Sequence, residues 1–431
     1  MTKQIRSAVC ALICLCMIMS LAACGSTVKI SEVEQRPLAA PTQNERDEIT
    51  DTVTSGANGF AFRLSAALMA GTGDESFICS PFSVWLPLAA LANATDAQGK
   101  DALLSTIGAS GIAEQDINRA TSRMLYGLTN ERDAAYGEHY NPLKIANALF
   151  VGQHVTLKPS FAQLFADHYR GTAMQVNFSS PQAVGTINKW VCEQTDGLIT
   201  NIVERFDPET ITAIANAIYF SDRWFDEFNP DETTEAVFHA PSGDTAAMYM
   251  LREGYALPYY EDDKMQAMPL QFATNGGMYI LLPKAGSAKA LLATMTNDDF
   301  AKIKSEYTFA TGKLLLPRFC IESDVSNLKS ALEALGVPLF DDEAAPLSGG
   351  LIEQDMPVWV SDALQKAAIR VDEQGATAAA VTVIDEATAA ADDDETEPFE
   401  MICDRPFAFI LYGNSYGGMH QVLFTGVVNQ P

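Results

Sequence analysis

Residues 371–384, VDEQGATAAAVTVI, alternate as a β-strand does, yet they offer almost no side chain large enough to anchor a strand in a core. A strand of this composition cannot hold itself in place by its own burial. The acidic run that follows, Asp392-Asp393-Asp394-Glu395, lacks the alternating ligand positions of a calcium loop and reads as a solvated, self-repelling surface segment.

The surroundings are better anchored. GFAFRLSAALMAG places Phe60, Leu64, Ala67 and Leu68 on one helical face, and SVWLPLAALANAT repeats the pattern after Ser80-Pro81. Asn58 and Ser80 are the expected N-caps. Strand alternation follows in LKIANALFV, helix in SFAQLFADHY and VGTINKWVCEQT, and strands again in ITAIANAIYF, GGMYILLP and KLLLPRFCI. The chain ends in RPFAFILYGNSYGGMHQVLFTGVVN, two apolar runs about a Gly-rich turn, as in a hairpin. Helices first and strands later suggest an α+β fold.

The first 26 residues have Lys3 and Arg6 ahead of an apolar run that closes on Leu21-Ala22-Ala23-Cys24, a secretory signal in form. The four closing residues resemble a bacterial lipobox, which implies a signal over 1–23 and lipidation of Cys24. The apolar run is shorter than the roughly 20 residues a spanning helix needs, so the membrane contact is expected through acyl chains alone, at the bacterial cell surface. Residues 24–49 are polar with two prolines and read as a tether. A formal charge of -27 repels phosphate backbones and argues against nucleic-acid partners.

Beyond Cys10, Cys14, Cys16 and Cys24, the remaining cysteines, Cys79, Cys192, Cys320 and Cys403, are scattered and read as small hydrophobes. The five histidines show no metal-ligand pairing, and no phosphate loop occurs, so neither a metal nor a cofactor is expected. Gly413-Asn414-Ser415-Tyr416-Gly417 matches a nucleophile-elbow pattern. However, a strand instead of a helix follows Ser415, and no Asp or Glu comes after it to complete a triad. An enzyme is not expected.

Six stretches, FICSPFSVWLPLAAL, LKIANALFV, INKWVCEQTDGLI, ANAIYFSDRWFDEF, VSDALQKAAIRVDEQGATAAA and RPFAFILYGN, together and in this order resemble the serpin family of protease inhibitors. The resemblance covers roughly residues 50–431 and implies one large domain of three β-sheets with about nine helices, in place of the two domains that length alone allows. It also implies a reactive loop over about 373–400. A protease acylates itself on a bait bond in that loop, and the cleaved loop then inserts into the central sheet with the trapped enzyme attached. The partner implied is a target serine protease held as a covalent acyl complex by a monomer.

Glu373, Gln374, Gly375, Ala376, Thr377, Ala378, Ala379 and Ala380 match the family's inhibitory hinge, with Gly375 as pivot and Ala376 in place of the usual Thr or Ser. Small side chains are what insertion into a closed sheet requires. Alternation makes Glu386 the first charged residue that would face the core. The hinge-to-bond spacing of the family places the bait bond between Ala389 and Ala390. Counting back from Arg405-Pro406-Phe407 points nearer Glu395. Small residues around Ala389 suit elastase-like or subtilisin-like proteases better than trypsin-like ones. Ser80, Ser83 and Asn216 match the polar cluster under the sheet, called the shutter. Trp224 matches the tryptophan at the sheet's opening end, the breach. Gln365 stands at a shutter position where many serpins carry His. Two alternatives remain from sequence: a non-inhibitory surface binding protein, and an inhibitor of cysteine proteases.

Overall fold

The computed structural model describes residues 28–30, 33, 36–38, 47–129, 132–133, 139–140, 143–195, 197, 199–376, 398–415 and 418–431. The signal, Cys24, Thr377–Ala380, Glu386 and the Ala389-Ala390 bond lie outside them.

A central sheet is built from β1 (Val28–Ile30), β6 (Gly171–Val176), β5 (Leu143–Gly152), β7 (Thr212–Phe220), β15 (Asp362–Val371), β16 (Gly375–Ala376) and β8 (Asp222–Arg223), in that spatial order, with β14 (Phe319–Asp324) on the outer side of β15. β7 reads TAIANAIYF and is buried almost throughout, the near-continuous apolar run of a strand covered on both faces. A second sheet joins β17 (Phe399–Ile402), β13 (Thr308–Pro317), β10 (Gly243–Glu261), β11 (Met265–Gln271), β12 (Gly277–Pro283), β18 (Phe407–Asn414), β19 (His420–Val428) and β2 (Phe77–Cys79), with β9 (Thr234–Ala240) beside β10. β10 serves two halves of this sheet, and its register slips between Gly254 and Leu257. β3 (Arg132–Asp133) and β4 (His139–Tyr140) form a small separate pair.

The helices are α1 (Glu48–Met69), α2 (Pro81–Leu91), α3 (Ala97–Thr106), α4 (Glu114–Thr129), α5 (Pro159–Tyr169), α6 (Pro181–Gln194), α7 (Ala288–Thr294), α8 (Asn297–Glu306) and α9 (Leu328–Ala334). α2 is apolar all round and buried along its whole length, between β19 on one side and β5 and β7 on the other. It begins as expected at Ser80, whose hydroxyl accepts from the Ser83 amide, with Pro81 in the first turn where no N–H is needed.

Two readings change. α1 starts ten residues before Asn58, because Asp47 accepts from the Ile49 amide at 3.2 Å and holds Thr50 and Arg123 as well. Asn58 instead lies inside the helix and ties it to β19, donating to the His420 carbonyl and accepting from the Val422 amide. Within the stretch expected to be a free tether, Val28–Ile30 forms the edge strand of the central sheet, pairing antiparallel with Val176, Gln175 and Met174. Val28 is buried against Ile187 and Val191 of α6, which supplies the reason this short run is held.

Candidate functional site

β7 and β15 run parallel and pair directly from Ala213 with Asp362 to Ala217 with Lys366. Further up, a two-residue strand separates them: Ala376 pairs antiparallel with Val371 on one side and with Asp222 on the other. The sheet is therefore closed at one end and wedged open at the other by the beginning of the chain segment that reads GATAAAV.

The turn that directs this segment downward is built locally. The Asp372 amide donates to the Gly375 carbonyl at 3.0 Å, and the Gln374 amide donates to the Asp372 carboxylate at 3.1 Å. Three successive carbonyls of the turn then accept from one short segment. Trp224 Nε1 donates to Asp372 at 2.9 Å, the Trp224 amide to Gln374 at 2.8 Å, and the Phe228 amide to Glu373 at 2.9 Å. Trp224 is itself fully buried, stacked on Phe272 at 4.8 Å with Phe228 edge-on at 6.3 Å. A hydrogen-bonding indole locked by two aromatic neighbours makes a rigid mould for the hinge.

Gly375 is required by contact. A Cβ there would lie 2.2 Å from the Asp222 carbonyl oxygen and 2.7 Å from Arg223 Cα. Ala376 is fully buried. The Glu373 side chain is 7% exposed, and its Oε1 accepts from Arg318 Nε at 2.8 Å, Arg318 Nη2 at 2.5 Å and Thr233 Oγ1 at 2.6 Å. Burial pushes this carboxyl upward, but the hydrogen bonds from Arg318 and Thr233 outweigh it and hold the group below its ordinary pKa. Asp222, also fully buried, accepts from the amides of Arg223, Thr274 and Asn275 and from the Thr274 hydroxyl, yet burial still pushes its carboxyl up to about 6.

Below the gap, Ser80, Ser83 and Gln365 are brought together. Gln365 Oε1 accepts from the Ser80 amide at 3.1 Å, while its Nε2 donates to the Ser80 carbonyl at 2.7 Å and to Ser83 Oγ at 2.9 Å. Ser80 Oγ donates to the Leu423 carbonyl, tying the cluster to the second sheet. Asn216 faces Gln365 in register but joins a different chain of bonds. Its Nδ2 donates to Asn147 Oδ1 at 2.7 Å, and Asn147 Nδ2 donates to the Tyr169 carbonyl. The buried Asn216 Oδ1 finds no hydrogen-bond partner among the described residues. The Gln365 amide is spent on Ser80 and Ser83, and among the described residues no side-chain bond from it reaches Asn216 across the strand boundary.

Sequence reading missed Arg318, Asp222, Asn147 and Phe228. Arg318 sits 55 residues before its partner Glu373, and a pair at that separation has no local signature. Asp222 was visible as a lone carboxyl in the apolar run ANAIYFSDRWF. Ser415 occupies the turn between β18 and β19, its hydroxyl donating to the Met419 carbonyl at 3.2 Å, a hairpin position with strands on both sides.

The sheet is thus held shut at one end by β7 and β15 and occupied at the other by Gly375–Ala376. The family model described as Serpin (serine protease inhibitor) matches residues 55–431. The chain is 27% identical over 395 residues to alpha-1-antiproteinase of Rattus norvegicus, covering 90% of this chain and 92% of that protein. It is 30% identical over 390 residues to an uncharacterized serpin-like protein of Thermococcus kodakarensis, covering 88% and 86%. Among solved structures, the thermophilic serpin tengpin in its native state superposes with a TM-score of 0.79 at 23% identity, over 94% of this chain and all of that one. Thyroxine-binding globulin complexed with thyroxine superposes at 0.74 and 21%, over 88% and 99%. The chain belongs to the serpin family, whose members are in general inhibitors of serine proteases.

Proposed function

We propose that this serpin is an inhibitor that traps serine proteases of the elastase-like or subtilisin-like class, with Ala389-Ala390 as bait bond. The observation that carries the reading is the seated hinge, in which Gly375 and Ala376 already pair as a strand between β15 and β8. The protease serine attacks the Ala389 carbonyl, the Ala389–Ala390 peptide bond breaks, the new amine of Ala390 leaves with a proton, and an ester joins Ala389 to the enzyme. Freed at that end, the 13 residues from Thr377 to Ala389 can continue the strand that β16 begins, at about 3.3 Å each or about 43 Å in all. Hydrogen bonds along both open strand borders supply the driving force, and small side chains keep the steric resistance low. The same proposal places the protein outside the cytoplasm, anchored through an acylated Cys24.

Incubating the folded chain with an elastase-like serine protease should give a complex that survives SDS, together with a released peptide beginning at Ala390. Cleavage of the loop without a complex would return the chain to the non-inhibitory members of its family.

A further inference from the structure

The edge strand β1 leaves a very short lead. Only Gly25, Ser26 and Thr27 separate Cys24 from Val28, so the anchor atom lies within about 14 Å of the sheet edge whatever those residues do. Val28–Ile30 is fixed to β6, and the chain beyond it is fixed again where Arg36 meets Asp167 at 3.4 Å and its carbonyl accepts from Arg170 at 2.8 Å. An anchor this close to a rigid body does more than retain it at a membrane, because it also selects the face that meets the lipid.

Charge points the same way. Around β1, Lys29, Arg36 and Arg170 stand with Asp167, a cationic corner in a chain of net charge -27. Ile30, 38% exposed, adds an apolar side chain on the same strand. The opposite edge of the sheet, β14, exposes Glu322 and Asp324, with Lys366 of β15 at 3.4 Å from Glu322. An anionic leaflet repels a chain of this net charge and is met most readily by its cationic corner.

Resting on the Cys24 anchor proposed above, we infer that the β1 edge of the central sheet and the adjoining ends of α5 and α6 form the face that lies against the bilayer, with β14 turned outward. The strands then run along the membrane plane, so inserting the loop carries a trapped protease parallel to the bilayer instead of into it.

The chain carries its own pair of probes. Cys79 and Cys403 are fully buried and their thiols are pushed up by burial, whereas Cys192 on α6 is half-buried and Cys320 on β14 is exposed. β1 and β14 lie at least five inter-strand spacings apart, about 24 Å. The test uses the full acylated chain on vesicles of phosphatidylcholine and phosphatidylglycerol carrying a headgroup quencher. A fluorophore is placed at Cys192 in a Cys320→Ser variant and at Cys320 in a Cys192→Ser variant.

The expected result is quenching at Cys192 at least about threefold stronger than at Cys320. Inserting 20 Gly/Ser residues after Thr27, a lead of about 25 Å, should bring the ratio close to one. Equal quenching with the native lead, or stronger quenching at Cys320, overturns the orientation. Intact mass separates the two ideas: a chain without the acyl mass overturns the anchor and the orientation with it, while an acylated chain with equal quenching overturns the orientation alone.

Discussion

Replacing Ala376 by Glu tests whether hinge entry decides between trapping and simple cleavage. Ala376 is fully buried with Val371 on one side and Asp222 on the other. Before cleavage the variant can withdraw β16 from the gap, giving up about two backbone hydrogen bonds at about 1 kcal/mol each, so the protein still folds. After acylation withdrawal no longer helps, because residue 376 must enter first and an unpaired carboxylate must be buried beside the Asp222 strand, at a cost of about 3 kcal/mol or more. A barrier raised by about 3 kcal/mol slows insertion about a hundredfold, while deacylation by water continues at its own rate. Ala376→Glu should be cleaved by an elastase-like protease at a rate within about twofold of the parent and yield less than about a tenth of its SDS-resistant complex. Ala376→Thr, small and neutral, should retain most of it. The assay is densitometry of complex and cleaved bands against time at increasing inhibitor-to-protease ratio. Undiminished complex from Ala376→Glu would refute the reasoning, because residue 376 would then not be buried on the path to trapping.

Three further outcomes follow from the same geometry. Arg318→Met leaves the Glu373 carboxylate with Thr233 and its own amide but no cation, and should destabilise the protein by about 2 kcal/mol in urea unfolding. Because Glu373 is held below its ordinary value, its contribution is complete above about pH 4.5 and disappears as pH falls through the folded value; Arg318→Met should flatten that part of the profile. Asp222 behaves in the opposite sense. Its folded pKa of about 6 lies above the ordinary 3.8, so the fold prefers the protonated form, and the free energy of unfolding should fall as pH rises from about 4 to 6, by up to about 3 kcal/mol. Asp222→Ala should abolish that slope whatever it does to absolute stability. Gln365→Ala should release the Ser80 amide and carbonyl and Ser83 Oγ, at about 1–3 kcal/mol, and should speed passage to an inserted form on mild heating, followed by native gel mobility.

The parts of this molecule that could be read from sequence are those whose cause is local. Ser80-Pro81 announces a capped helix and ITAIANAIYF a buried strand, because each depends on neighbours a few residues away. Ser80, Ser83 and Gln365 were named from separate stretches, and the fold brings them into one cluster. What escaped depends on distance along the chain. Glu373 was read as part of a motif, but the guanidinium that neutralises it comes from the end of β13, and nothing near either residue marks the pair. Val28–Ile30 is too short to show a period and finds its partner, β6, almost 150 residues later. Asn58 looked like a cap because caps are what asparagine most often does before an apolar run, and a buried tie to β19 overrode that preference.

The opening between β15 and β8 is one strand wide, and that width has an arithmetical consequence. A slot that accepts one strand from its own chain is filled once, and a cut bait bond does not rejoin, so each molecule that follows the proposed route removes at most one protease. Protection then depends on copy number against enzyme number, not on a dissociation constant. Tightening the encounter would gain little for such a protein, whereas doubling its density on a surface would double the attack it can absorb.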